Sequence, residues 1–115
     1  MAIPYDRIVK TLRFILNLFV LGDYDALEKI SNGVRLTAEE MKSAIREFGG
    51  TISMPPDNAF KDLDIIEIVG TEPQAWSVRF DLWTDKGISD LTLELTLIDS
   101  ANDLLKIEID NIHVM

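Results

Sequence analysis

The sequence predicts an α+β domain in which three N-terminal helices pack on a curved, four-stranded antiparallel sheet. Two observations support this prediction. Apolar residues recur at helical spacing through the first half of the chain, and they alternate with polar residues after residue 62. Helices followed by strands are typical of α+β domains whose sheet is covered on one face. The 115 residues are enough for a single domain with its own core.

Three predicted helices occupy the first half of the chain. The first follows Pro4, which a first helical turn tolerates, and ends at Gly22. Its apolar residues form two stripes, so we expect this helix to be covered on more than one side. The stripes are Ile8, Leu12, Ile15, Leu16 and Phe19, and then Phe14, Leu18 and Leu21. Asp23 is a favourable N-cap for the second helix, "YDALEKIS", which we expect to stop at Asn32-Gly33.

The third predicted helix begins with two N-terminal signals, both within "LTAEEM". Thr37 and Glu40 have the spacing of a capping box, and Leu36 and Met41 occupy the positions of a hydrophobic staple. Gly49-Gly50 ends this helix. The next stretch, "TISMPPDNAFKD", contains two prolines and an Asp-Asn pair, which predict an irregular connection.

Four predicted strands fill the second half: "LDIIEIVG", "AWSVRFDLWT", "SDLTLELTLID" and "LLKIEIDNIHV". Alternation divides their side chains between an inner face, against the helices, and an outer face. The predicted inner side chains are Trp76, Val78, Phe80, Leu82, Leu91, Leu93, Leu95, Leu97, Ile107 and Ile109. Because they include no carboxylate and no phenol, we expect no acid–base pair on the inner face.

Two predicted hairpins join the last three strands, and apolar matching sets their registers. The first hairpin pairs Leu82 with Leu91, Phe80 with Leu93, Arg79 with Glu94 and Trp83 with Asp90. Its loop is Lys86-Gly87, or Asp85 to Ile88 if it opens wider.

The second hairpin has two registers. A three-residue loop from Asp99 to Ala101 pairs Glu94 with Lys106, whereas a five-residue loop opposes Glu94 and Glu108. The first register is favoured, because like charges directly opposite each other are unfavourable.

Charge and composition exclude several classes of function. The net charge is −9, and residues 57–115 hold the whole excess, with four basic and thirteen acidic groups. Such a surface repels phosphate, so we expect no nucleic-acid partner and no membrane partner. The absence of cysteine and the single histidine argue against thiolate and His-rich metal sites, and we expect no metal and no cofactor. We expect a cytoplasmic protein, since the lack of cysteine is compatible with a reducing compartment.

The order of elements resembles the NTF2-like (SnoaL-like, cystatin-like) superfamily. In that superfamily a Gly-Asp-x-x-Ala-Leu turn follows the first helix, and Gly22, Asp23, Ala26 and Leu27 match it. More narrowly, "RLTAEEM", "LWTDKGISDLTLELTL" and "IEIDNIHVM" resemble a family of small bacterial proteins known only as a domain of unknown function. The broader resemblance implies a cone-shaped sheet around the first helix, and in many members a dimer through the outer face. The superfamily includes enzymes that use an Asp-His or Asp-Tyr pair inside the cone, and it also includes members that catalyse no reaction.

His113 is the candidate catalytic residue, because histidine titrates nearest neutrality. Its direction depends on the last strand, where Ile112 and Val114 have the opposite parity to Ile109. A β-bulge around Asp110-Asn111 would return both residues to the core and turn His113 outward, whereas without a bulge His113 would face the cone. The outward orientation is favoured, because it buries two β-branched side chains.

The predicted outer face is polar apart from one indole. It carries Arg79, Asp81, Trp83, Asp90, Thr92, Glu94, Thr96, Lys106, Glu108 and Asp110. A solvated face is the default for charged strands, and an oxygen-ligand cation site lacks any calcium-loop spacing. An indole among charges is more typical of an interface.

We therefore predict a non-catalytic module that binds a protein partner or a small apolar ligand and homodimerises through the outer face. The predicted interface residues are Trp83, Arg79, Thr92, Glu94 and Thr96. The alternative is a small isomerase or hydrolase in which His113 works with Asp110 or Asp81.

Overall fold

The predicted α+β architecture is confirmed in a computed structural model that describes residues 3–31 and 35–114. Its helices are α1 (Tyr5–Leu21), α2 (Tyr24–Ile30) and α3 (Ala38–Phe48). Its strands are β1 (Ile52–Ser53), β2 (Asp64–Ile68), β3 (Ala75–Thr84), β4 (Gly87–Ile98) and β5 (Lys106–Val114). The four predicted strands correspond to β2–β5. The connection predicted to be irregular also contains the two-residue β1 and a 3-10 helix at Asp57–Phe60.

The helix ends follow the local signals of the sequence. Gly22 ends α1 with a φ of 70°, in the left-handed region that glycine adopts without strain. The Asp23 side chain accepts a hydrogen bond from the Ala26 backbone N–H and begins α2. Thr37 and Glu40 form both bonds of the capping box of α3. The expected stop at residues 32–33 lies outside the described residues.

One antiparallel sheet joins all five strands, and β1 and β2 share one edge of β3. The order is β1-β3-β4-β5, with β2 also paired to β3. β1 pairs with Trp83 and Thr84, whereas β2 pairs with residues 75–79 of β3. Residues 80–82 therefore lie in a gap between the two short strands, and this gap shapes the surface beside Trp83.

The inner face of the sheet is a closed apolar core, as predicted. Each of the ten predicted inner side chains is at most 6% exposed, and they form one cluster with the first stripe of α1. The second stripe differs from our expectation, because Phe14 is 40% and Leu21 69% exposed while Leu18 is half-buried. α1 is therefore covered on the side of the sheet and largely open on the opposite side.

The β3–β4 hairpin has the predicted register along most of its length. Phe80 pairs with Leu93 and Arg79 with Glu94. The predicted pair of Trp83 with Asp90 is wrong, because the register shifts beyond Asp81 and Trp83 pairs with Ile88.

The extra residues of this irregularity lie on β4, around Ser89, and not in the turn. The Ser89 hydroxyl donates to the Leu82 carbonyl at 2.6 Å and accepts from the Leu91 N–H at 3.2 Å. These bonds interrupt the predicted pairing of Leu82 with Leu91. The turn is consequently Asp85-Lys86, and both predicted loops are wrong.

The β4–β5 connection spans residues 99–105 and is longer than either predicted loop. Lys106 pairs with Ile98 and Glu108 with Thr96, so both predicted pairings of Glu94 are wrong. Glu94 lies opposite Asn111 instead.

Contacts with α1 hold this long connection in place. The Arg7 guanidinium forms an ion pair with Asp99 and donates to the backbone carbonyls of Ser100 and Asn102. The Thr11 hydroxyl accepts from the buried Leu105 N–H at 3.0 Å. Such tertiary contacts override the hairpin rules that favour short loops.

Candidate functional site

The outer face of the sheet brings together every predicted site residue. We define it by the outward side chains of β3, β4 and β5, opposite the face that packs on the helices. Arg79, Thr92, Glu94 and Thr96 lie along its centre, and Trp83 lies at the end where β3 turns into β4. Thr92 is only 3% exposed, so its neighbours on this face cover it.

The predicted bulge in β5 is confirmed, and it turns His113 outward. Glu94 pairs with Asn111 and Leu95 with Ile109, which leaves Asp110 as the extra residue. The Asn111 side chain accepts from the Ile112 N–H at 2.9 Å.

The bulge buries only one of the two side chains that it was expected to bury. Ile112 is 7% exposed and joins the core, whereas Val114 remains 57% exposed at the end of the strand. The His113 side chain is 30% exposed on the outer face.

His113 contacts a glutamate and not an aspartate. Its Nε2 lies 2.5 Å from Oε2 of Glu94, and the other oxygen of Glu94 lies 3.4 Å from Nε of Arg79. His113, Glu94 and Arg79 thus form a row of contacts that crosses β5, β4 and β3. This contact could not be predicted from the sequence, because the bulge in β5 and the length of the β4–β5 connection together determine which residue lies beside His113.

The two aspartates of the catalytic alternative have other partners. Asp81 accepts from the Thr92 hydroxyl at 2.8 Å. Asp110 accepts from the Thr96 hydroxyl at 2.6 Å and forms an ion pair with Arg35. Hydrogen bonds between side chains therefore organise the whole centre of the outer face.

A histidine held by a carboxylate can act as a general base, but it needs a reacting group nearby. His113 borders a surface groove of about 400 Å³ between α3 and the ends of β4 and β5. The other lining residues are Ala44, Glu47, Phe48, Leu91, Ile112 and Val114. Glu47 adds a second ionisable side chain to this groove, and the other lining residues are apolar.

The phenols of Tyr5 and Tyr24 do not contribute to this region. The Tyr5 hydroxyl donates to the carbonyls of Phe60 and Lys61 and accepts from the Leu63 N–H, so it ties α1 to the chain before β2. Tyr24 packs edge-on against Phe19, and burial raises the pKa of its phenol.

Trp83 is more sheltered than the sequence suggests. It is half-buried and packs against the core, while its cross-strand neighbour Ile88 is 62% exposed. Beside it opens a cleft of about 460 Å³. Within residues 3–31 and 35–114, no group of three or more His, Cys, Asp or Glu side chains could hold a metal ion.

Three helices on one face of an antiparallel sheet, with a hydrogen-bonded polar outer face, define a small α+β domain. Residues 16–115 match the family described as a domain of unknown function (DUF7668), and the chain belongs to this family. No curated protein and no solved structure matches the chain. In the described ranges, no helix combines the length and the apolar character that crossing a membrane requires.

Proposed function

We propose that this chain is a non-catalytic protein-interaction domain that forms a two-fold homodimer through its outer sheet face. The observation that carries the proposal is the chemistry of the outward cross-strand pairs of β3 and β4. These pairs are Ala75–Ile98, Ser77–Thr96, Arg79–Glu94, Asp81–Thr92 and Trp83–Ile88. In each pair the two side chains complement each other: apolar with apolar, hydroxyl with hydroxyl, cation with anion, or acceptor with donor.

A two-fold axis explains why this pattern favours a second copy of the same chain. Suppose that the two outer faces stack and that the two-fold axis lies between them, parallel to the strands and midway between β3 and β4. A residue on β3 of one copy then faces, on β4 of the other copy, the residue that it pairs with in its own sheet. Arg79 then faces Glu94 in both directions, and Trp83 faces Ile88. A two-fold interface requires this kind of self-complementary surface, and sheets that pack face to face lie about 10 Å apart.

The polar groups at the centre are already ordered in the single chain. Glu94 is held by Arg79 and His113, and Asp81 is held by Thr92. Binding a partner costs less when the side chains at the interface lose little freedom. The half-buried indole of Trp83 supplies the kind of anchor that dominates interface energies.

The other functions expected from the sequence have less support. A small apolar ligand between the sheet and α1 would need space next to the inner face, yet the inner side chains pack tightly against α1. An isomerase or hydrolase of the predicted kind would need Asp81 or Asp110 beside His113, yet both aspartates are bonded to threonines instead. The resemblance to NTF2-like proteins is in line with the proposed dimer, because many members of that superfamily associate through the outer face.

A charge-reversal experiment tests the dimer through Arg79 and Glu94. Alone, Arg79→Glu and Glu94→Arg each place like charges against each other across the two-fold axis, and we expect both variants to sediment as monomers. When the two variants are mixed, every contact again joins opposite charges, so a heterodimer should form. Intrachain pairing of Arg79 with Glu94 cannot produce this rescue, since each variant keeps its own mismatched pair.

Arg46→Glu on the exposed surface of α3 is the matched control, and it should leave the dimer unchanged. Native mass spectrometry of the mixed variants separates homodimers from heterodimers. A wild-type chain that stays monomeric at high concentration, or a mixture that yields no heterodimer, would refute the proposal.

A further inference from the structure

The cleft beside Trp83 exists because of the gap between β1 and β2 on the edge of β3. Residues 80–82 of β3 face this gap, and the chain entering β2 borders it. The cleft has a volume of about 460 Å³. Sites for small molecules usually enclose roughly 300–1,000 Å³, so this cleft is large enough for a small organic ligand.

The walls of the cleft combine apolar surface with an indole. Leu63 and Ala59 line it on the side of β2, while Phe80, Trp83 and Ile88 line it on the side of the β3–β4 hairpin. Such walls suit an aliphatic chain. The face of an indole also attracts a cation, because its ring quadrupole is negative above the ring.

The charged groups of the cleft are mostly carboxylates. Asp62, Asp64, Asp81 and Asp90 line it together with one cation, Arg79. Glu94, which does not line the cleft, contacts Arg79 from outside and offsets its charge. The cleft therefore carries a negative excess, on a chain whose net charge is already −9.

Within the described part of the chain, these carboxylates belong to no group of three or more donors that could hold a metal ion. The apolar walls also favour a ligand with carbon atoms to bury over a hydrated inorganic ion. We propose that this cleft binds a small organic cation, an ammonium or guanidinium group carried on an aliphatic chain. The aliphatic chain would lie against Leu63, Trp83 and Ile88, and the charge would face the aspartates.

Tryptophan fluorescence offers a direct test. The chain contains two tryptophans, so Trp76→Phe leaves Trp83, in the wall of the cleft, as the only indole. Agmatine, which carries a guanidinium and an ammonium on a four-carbon chain, should change this fluorescence in a saturable manner. Pentanol and pentanoate, which lack the positive charge, should not. Calorimetry on the wild-type chain measures the same affinity without the substitution.

Asp64→Asn combined with Asp90→Asn should weaken agmatine binding at least about tenfold, because two of the attracting charges are removed. The matched control is Asp25→Asn on α2, which removes an acidic charge outside the cleft and should leave the affinity unchanged. Affinity should also fall as salt is added.

The inference is overturned if millimolar agmatine gives no response, if pentanol binds equally well, or if the double variant keeps its affinity. An arginine-containing tripeptide that binds where agmatine does not would overturn it in favour of a partner protein's side chain. Sedimentation of the same samples separates this inference from the proposed dimer. Because Arg79, Trp83 and Ile88 also belong to the proposed dimer interface, agmatine is titrated at a concentration at which the chain sediments as a monomer. A monomer that binds no agmatine contradicts only the inference, and a chain that stays monomeric at high concentration contradicts only the dimer.

Discussion

The two faces of the sheet are built from alternate residues of the same strands, yet they follow different physical rules. The inner face buries leucines such as Leu93 and Leu95 completely, and its contacts are non-directional. The outer face is held by directional contacts, such as those that join His113, Glu94 and Arg79. Apart from the one bulge in β5, burial on the inner face follows from the alternation, whereas the outer contacts depend on which residue lies opposite which.

This difference implies that substitutions on the two faces should have separable effects. A truncation on the inner face should lower the free energy of unfolding, because it opens a cavity or leaves a buried group without a partner. A truncation on the outer face should mainly change association, since water can replace the lost contact in the monomer.

Trp76→Ala should produce the largest effect on the fold. Trp76 is 2% exposed in the core, and truncating a buried tryptophan costs about 3–5 kcal/mol. Its indole N–H has no hydrogen-bond partner in the described residues, so Trp76→Phe should cost much less, because it removes an unsatisfied donor. Denaturant unfolding of both variants measures the difference. Equal losses of stability would contradict this account of the inner face.

Trp83→Ala should produce the largest effect on association. Loss of an interface anchor costs upwards of about 2 kcal/mol in association free energy, so the dimer should dissociate at micromolar concentration. The monomer should stay folded with a smaller loss of stability than in Trp76→Ala, since Trp83 is only half-buried. Sedimentation and thermal melting test both statements. If Trp83→Ala melts like Trp76→Ala, the two faces do not differ as described.

Two buried threonines, one on each side of the sheet, allow a matched comparison in which we expect the smallest changes in the free energy of unfolding. Thr11 is fully buried, and its hydroxyl accepts from the Leu105 N–H. Thr11→Val leaves this N–H buried without a partner and should cost about 1–3 kcal/mol.

Thr92→Val on the outer face removes a bond to Asp81, whose exposed carboxylate can bind water instead. The expected loss in the monomer is therefore below about 1 kcal/mol. Unfolding curves at a concentration that keeps both variants monomeric give the comparison. A larger loss in Thr92→Val would contradict the proposed order.

The sequence was sufficient to predict the α+β architecture and the inner face, because both follow from periodicity and local helix signals. The capping box at Thr37 and the left-handed Gly22 are local features, readable within a few residues. The bulge at Asp110 was also predictable, since the parity of Ile112 demands it.

The partner of His113 could not be predicted, because it depends on contacts distant in sequence. Arg7 and Thr11 hold residues 99–105, and the length of this connection decides that Glu94 faces Asn111. Ser89 similarly shifts the end of the β3–β4 hairpin by bonding to Leu82. Neither effect leaves a signature in hydrophobic patterning, which reports burial and not register.

The bulge in β5 has a further consequence for how copies of this chain can meet. An exposed edge strand can add strands from other molecules without limit, which leads to fibrous aggregates. Asp110 interrupts the ladder in the middle of β5, and the Asn111 side chain accepts a hydrogen bond from the Ile112 N–H beside it. On the opposite edge, β1 and β2 contain only two and five residues. Both edges of the sheet are therefore poor sites for adding strands from other molecules. Two copies can stack their outer faces without growing into a filament.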